Sequence, residues 1–259
     1  MIYQLISTFE IRETSYLWKE WEPFLCKQIK TANLGISISE QINRAYGLDI
    51  IENQPGKPVL KANNSLLCVN PHWTEAKITS FDGNKGDIYK LLNALIMTHL
   101  SAYQTIEVHA SLIDVGRKGL MYLGPSGIGK TTQAELWGKY RNATIINGDM
   151  VFIKKEGNRF YGCGSPWHGS SSYCLNRKVP LYALIVLKQS KENSIRRLTG
   201  FEMVSEVMNS VFFPTWYEKG HEAVCKILDT LLQSLPIYEL SCYPDENSVK
   251  FTEEAIFGR

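Results

Sequence analysis

Residues 119–131 read Gly119-Leu120-Met121-Tyr122-Leu123-Gly124-Pro125-Ser126-Gly127-Ile128-Gly129-Lys130-Thr131. An apolar run of strand character ends at Leu123, and the octamer Gly124–Thr131 matches G-x-x-x-x-G-K-[ST]. Thr131–Tyr140 then has the composition of a helix. Glycines at these spacings let the backbone curl round a phosphate with its N–H groups pointing inward. The following helix N-terminus adds partial positive charge. In such a pattern Lys130 reaches the β- and γ-phosphates and the Thr131 hydroxyl ligates Mg²⁺. Gly124, Pro125, Ser126, Gly127, Ile128, Gly129, Lys130, Thr131 and Thr132 are therefore the candidate nucleotide-binding residues, with ATP and Mg²⁺ as the implied cofactors.

The flanks extend this unit. Upstream, Val108–Ile113 reads as a strand, Asp114–Lys118 as a turn and Gly119–Leu123 as the returning strand of a hairpin. Downstream, Ala143-Thr144-Ile145-Ile146-Asn147-Gly148-Asp149 is an apolar strand that ends in an acid. Alone, this would be an ordinary Asn-Gly-Asp turn; beside a phosphate loop, such an acid holds Mg²⁺ or positions a nucleophile. Leu181–Leu187 and Pro236–Cys242 read as strands, Phe201–Val211 and Glu218–Leu232 as amphipathic helices, and Asp245 as the N-cap of a closing helix. Strands and helices interleave after residue 105, which predicts an α/β arrangement.

Residues 1–85 read differently. Short β-like runs at Ile2–Ile6, Ser65–Val69 and Lys77–Ser80 alternate with turn clusters at Asn53–Gly56, Asn63-Asn64 and Asp82–Asn84. The composition break at Phe81–Gly86 sets a boundary, giving a β-rich portion 1–85 and a larger portion 86–259. Ile88, Leu91, Leu92 and Leu95 open the second portion with helical spacing; Tyr103 continues that face, and His99 packs beside it.

Composition narrows the function. Among 259 residues, 28 Lys and Arg face 26 Asp and Glu, a net charge of +2. That gives no support to a nucleic-acid partner. No segment approaches the roughly 18 apolar residues of a membrane span. Met1–Glu13 has no basic leader region and does not read as a signal peptide. The six cysteines form no CxxC pair and read as reduced packing thiols, so a cytoplasmic protein is expected. Neither an NKxD guanine-reading motif nor an LSGGQ-like signature occurs, which disfavours a GTPase switch and a mechanical ATPase.

Taken in order, His109-Ala110-Ser111, the hairpin, GPSGIGKTT, Leu136-Trp137, IINGDM, GSPWHG and VPLYALIVL resemble the catalytic domain of HPr kinase/phosphorylase. The likeness is nearer to the small bacterial HPr-kinase-like proteins, which include kinases of lasso-peptide precursors. It covers roughly residues 86–259. The resemblance implies a nucleotide core related to that of phosphoenolpyruvate carboxykinase; the smaller β-rich N-terminal portion contributes little to the likeness, and binding the acceptor and covering the core are both open roles for it. It implies Lys130 and Thr131 in the phosphate and Mg²⁺ roles above, Asp149 as a second Mg²⁺ ligand, and His109 as an active-site histidine beside the loop. One departure concerns the two adjacent acids of HPr kinase. Here that pair is Gly148-Asp149, and the acid that in the family contacts the attacking hydroxyl is absent. Either His109 or Asp149 must then assist the acceptor, or positioning and metal charge carry the step.

Gly162–Ser172 is rich in glycine and small polar residues and reads either as a surface loop around one buried Trp or as a loop that closes over substrate. Ser165, Trp167 and His168 within it are candidate acceptor contacts, as are Arg196 and Arg197 in the charged stretch after Leu187. The function expected is ATP- and Mg²⁺-dependent phosphoryl transfer to a hydroxyl, Ser or Thr of a peptide, with Lys130, Asp149 and His109 as the catalytic set. The alternatives are a non-catalytic ATP-binding partner of a peptide-modifying system and a kinase of a small hydroxylated metabolite. The partner expected is thus a peptide or small hydroxyl-bearing acceptor, and the family resemblance leaves room for a homo-oligomer.

Overall fold

The computed structural model describes residues 2–4, 8–12, 19–26, 32–40 and 59–258. It is a mixed α/β structure with two sheets. By its contacts the chain divides into two compact units, Met1–Tyr103 with Pro214–His221, and Gln104–Phe213 with Glu222–Arg259. The turn cluster read at residues 53–56 lies outside the described residues, as does Ile6.

The first unit holds β1 (Ile2–Gln4), β2 (Thr8–Arg12), a 3-10 turn at Lys19–Phe24, β3 (Leu34–Glu40), β4 (Val59–Ala62), β5 (Ser65–Val69), β6 (Glu75–Ser80) and α1 (Lys85–Ser101). Its sheet runs β1-β2-β3-β6-β5-β4. The Asn84 side chain starts α1 by accepting from the N–H groups of Gly86 (2.9 Å) and Asp87 (3.3 Å), two donors that a helix start leaves unpaired. Ile88, Leu91, Leu92 and Leu95 are buried, and α1 packs on β4, β5 and β6. His99 is buried with them and its Nδ1 bonds the Trp73 carbonyl at 2.8 Å. Burial lowers its pKa, with the Trp73 bond opposing. Tyr103 lies beyond the helix end at Ser101.

The second unit holds β7 (Thr105–Val115), β8 (Lys118–Leu123), α2 (Lys130–Arg141), β9 (Thr144–Asn147), β10 (Met150–Glu156), β11 (Arg159–Cys163), β12 (Lys178–Gln189), β13 (Ser194–Arg197), α3 (Gly200–Met208), β14 (Val211–Phe212), α4 (Glu218–Ser234, from Glu222 onward), β15 (Ile237–Cys242) and α5 (Glu246–Phe257). Its sheet runs β11-β10-β7-β8-β12-β15-β13, with β9 and β14 also pairing β7, and β11 also pairing β12. β8, β12 and β15 are parallel neighbours, so their carboxyl ends share one edge.

Several elements differ in detail from the sequence expectation. The β7–β8 turn is two residues, Gly116-Arg117, with φ of 58° and 68°. Asp114 tightens it by accepting from the Arg117 N–H at 2.7 Å, which lets both strands run further than apolar density alone suggests. Val211 leaves the expected helix for β14, Gly162 and Cys163 of the expected loop end the strand β11, and the arginine pair lies on β13.

Both faces of the sheet are buried, which explains its continuous apolar runs. Alternate residues serve opposite sides. Met121, Leu123, Leu184 and Val186 pack with Val224, Ile227, Leu228 and Leu231 of α4. Leu120, Tyr122, Ala183, Ile185 and Leu187 pack with Ala134 and Trp137 of α2 and Val249 and Ile256 of α5. Trp137 is fully buried and meets Phe257 edge-on at 6.4 Å. It holds α2 on the sheet. Trp137→Ala is expected to cost about 3–5 kcal/mol, read as a lower urea midpoint.

Candidate active site

The end of β8 and the start of β10 meet at the middle of β7, beside the 124–129 loop. Ala110 of β7 pairs with Leu123 of β8, the last residue before the loop. On the other side of β7, His109 pairs with Met150 of β10. His109 and Asp149 thereby arrive at the same sheet edge as Gly124. Ser210 fastens this edge from a third direction: its carbonyl accepts from the His109 N–H at 2.8 Å and its hydroxyl from the Gly124 N–H at 3.2 Å.

The loop itself needs glycine. Gly124, Gly127 and Gly129 have φ of 138°, 78° and 111°, conformations that side chains rarely adopt. Pro125, Ser126 and Gly127 are exposed at its tip, Ile128 is half-buried against Gly124, and Thr132 is exposed on the first turn of α2. No protein group accepts from the N–H of Ser126, Gly127 or Gly129 among the described residues. Lys130 is buried, and its Nζ donates to the carbonyls of Gly124 (3.0 Å) and Pro125 (3.1 Å). Burial lowers its pKa, an effect the Asp149 carboxylate partly offsets. The Thr131 hydroxyl donates to the Gly148 carbonyl at 2.9 Å, and the buried Ser111 hydroxyl donates to the same oxygen at 3.0 Å.

His109 Nε2 lies 3.1 Å from Asp149 Oδ1, both side chains partly exposed. This hydrogen bond is the main reason the Asp149 carboxyl sits below its usual range. Burial opposes it, and the charges of His109, Lys130 and His168 reinforce it. These donors fit a nucleotide with Mg²⁺. Unpaired loop N–H groups and a lysine suit phosphate oxygens. A hydroxyl and one carboxylate suit a cation that otherwise takes its ligands from phosphate and water. Among the described residues no three His, Cys, Asp or Glu side chains converge as a protein-only metal cage.

The GSPWHG segment plays two parts. Ser165 and Trp167 are buried rather than presented to an acceptor. The Ser165 hydroxyl donates to the Met150 carbonyl at 2.6 Å, and the Trp167 ring packs edge-on against Phe152 at 6.3 Å. The structure thus does not bring Ser165 and Trp167 to an exposed face of the site, since both are buried in these contacts. His168 and Gly169 do reach the site. A side-chain carbon on Gly169 would lie 2.7 Å from Asp149 Oδ2, so the backbone passes directly over the carboxylate.

Arg196 and Arg197 are not brought to this edge. β13 lies three strand spacings from β8, about 14 Å away. Arg196 is engaged by Glu202 and by Glu239, the latter at 2.9 Å. Arg197 lines a separate cavity of about 720 Å³ with Leu181, Pro236 and Ile237, at the amino ends of β12 and β15. In parallel sheets ligands collect at the opposite, carboxyl ends.

Sequence reasoning missed Asn147. It is fully buried at the end of β9. Its Oδ1 accepts from the N–H groups of Asp149 (2.9 Å) and Met150 (3.1 Å), and its Nδ2 donates to the carbonyls of Ser165 (2.9 Å) and Trp167 (3.1 Å). One amide thus sets the Asp149 turn and the segment that passes over it. The visible signal was the Asn-Gly-Asp order, since an Asn side chain readily bonds the backbone two residues on. Asn147→Ala leaves buried donors and acceptors unpaired and is expected to cost about 2–4 kcal/mol. Chemical denaturation would measure it, and a loss below 1 kcal/mol would refute the assignment.

No family model matches the chain. Among solved structures, the HPr(Ser) kinase/phosphatase from Coxiella burnetii is similar over 58% of this chain and 92% of that one, at 11% identity and a TM-score of 0.34. A likeness at that level identifies neither the family nor the activity of this chain. Among the described residues no helix is long and apolar enough to cross a membrane.

Proposed function

We propose that this chain is an ATP- and Mg²⁺-dependent kinase that transfers the γ-phosphoryl group to a hydroxyl, Ser or Thr of a peptide. The observation that carries the reading is the 3.1 Å His109–Asp149 pair, set beside the glycine-rich loop and Lys130 by the pairing of β7 with β8 and β10. Every residue it uses lies in the 86–259 portion. The N–H groups of Ser126, Gly127 and Gly129 and the Lys130 ammonium receive the phosphates, which requires Lys130 to leave the Gly124 and Pro125 carbonyls. Thr131 and Asp149 hold Mg²⁺, which when bound neutralises charge on the transferring group. His109 keeps Asp149 ionised and oriented. Either His109 or Asp149 orients the attacking hydroxyl and takes its proton.

One observation favours a second reading, a nucleotide-binding partner protein without transfer. A side chain at Gly148 would collide with Ser171, so the site has room for a single carboxylate. Incubation with γ-labelled ATP, Mg²⁺ and the native cell extract separates the readings. A labelled peptide or protein identified by mass supports the kinase. A labelled metabolite moves the acceptor to a small molecule. ATP binding with no labelled product favours the partner protein.

A further inference from the structure

The site described above already contains a hydroxyl. After Trp167 the chain turns tightly over residues 168–171. The Ser171 N–H donates to the His168 carbonyl at 3.1 Å, the Ser171 hydroxyl donates to the same oxygen at 2.8 Å, and the His168 ring bonds the Ser171 carbonyl. This turn lays Gly169 on Asp149 and points Ser171 at Gly148. The place a Gly148 side-chain carbon would take is filled by Ser171: it collides with Oγ, lies 2.8 Å from the Ser171 Cβ, and lies 3.5 Å from the Thr131 methyl carbon. Ser171 thus packs on Gly148, whose carbonyl accepts from the Thr131 hydroxyl and whose next residue is Asp149.

Neighbouring hydroxyls are not placed this way. The Ser165 hydroxyl is buried and donates to Met150 and Trp167 carbonyls. Ser111 is buried and donates to the Gly148 carbonyl. Ser170 and Ser172 are exposed, and neither fills the space over Gly148.

We propose that Ser171 is an internal acceptor and that the protein phosphorylates itself there. The proposal rests on the kinase reading above. Ser171 Oγ attacks the γ-phosphorus of ATP and forms the new P–O bond. The bond from that phosphorus to the β,γ-bridging oxygen breaks, ADP leaves with its electron pair, and the hydroxyl proton passes to the Asp149–His109 pair. An acceptor held by its own turn meets the phosphoryl group without the entropy cost of docking a second molecule.

The test uses the purified full chain with ATP and MgCl₂ and no added acceptor, followed by intact mass and peptide mapping. One phosphoryl group is expected on Ser171, at a rate per molecule that does not change with protein concentration. Ser171→Ala should lower the labelling rate at least tenfold with an unchanged melting profile, and Ser171→Thr should retain labelling. A phosphate mapped to Ser170, Ser172 or His109 overturns the proposal. So does an unlabelled chain that phosphorylates a component of the cell extract, a result that leaves the kinase reading intact. Failure to bind ATP in calorimetry removes the kinase reading and this proposal together.

Discussion

Lys130→Ala is expected to lower phosphoryl transfer by at least about 100-fold, the scale on which single preorganised electrostatic groups act in transfer sites, while the fold survives. The ammonium's hydrogen bonds go to the Gly124 and Pro125 carbonyls, with the Asp149 carboxylate acting on it only through its charge. Its burial lowers the pKa relative to an exposed lysine. A lysine whose folded pKa is depressed destabilises the folded state while protonated, and that cost disappears as pH rises above the ordinary value of 10.5. At neutral pH, Ala removes this cost along with the two hydrogen bonds, so the melting temperature should move by only a few degrees. Transfer assayed beside a thermal melt measures both. Full activity in a folded Lys130→Ala protein would end the assignment of the 124–131 loop to phosphate binding.

Asp149→Asn should have the second large effect, about 10²–10⁴-fold on transfer, the range for loss of a general base. The turn itself should persist, because Asn147 holds the residue 149 backbone N–H rather than its carboxylate. The substitution also changes how stability depends on pH. Asp149 has its pKa lowered below 3.8, first by the His109 hydrogen bond. A carboxyl with a depressed folded pKa contributes stability that is complete above its unfolded pKa and is lost as pH falls through the folded value. The wild-type protein should therefore lose stability more steeply than Asp149→Asn on going from about pH 5 to about pH 2. Denaturant midpoints across that range are the readout; parallel curves would show that Asp149 gains nothing from His109.

Short-range chemistry made part of this molecule readable in one dimension. A hairpin turn was legible within Asp114–Lys118 between the two apolar runs, although its tight two-residue form at Gly116-Arg117 was not. Asp245 caps the last helix because its side chain reaches the N–H three residues ahead. Other elements escaped notice. β10 and β11 carry polar and small residues such as Lys154, Lys155 and Gly162. β13 is a four-residue edge strand with two arginines. Each is strand because of its partner, and a partner distant in sequence leaves no local mark.

The same division runs through the site. The sequence by itself determined the strand, the glycine-rich turn and the helix that starts at Lys130, since each follows from residues within one turn of its neighbours. It also placed His109 and Asp149 as candidates. Only the tertiary structure decided that these two meet, 40 residues apart, through the register of Met150 opposite His109. A one-residue slip there would turn alternate side chains to the other face. Packing likewise buried Ser165 and Trp167, drew Arg196 to Glu239, and set Ser171 in the space that Gly148 leaves open. Backbone preferences act over a few residues; strand register and close packing join residues that the chain itself keeps far apart.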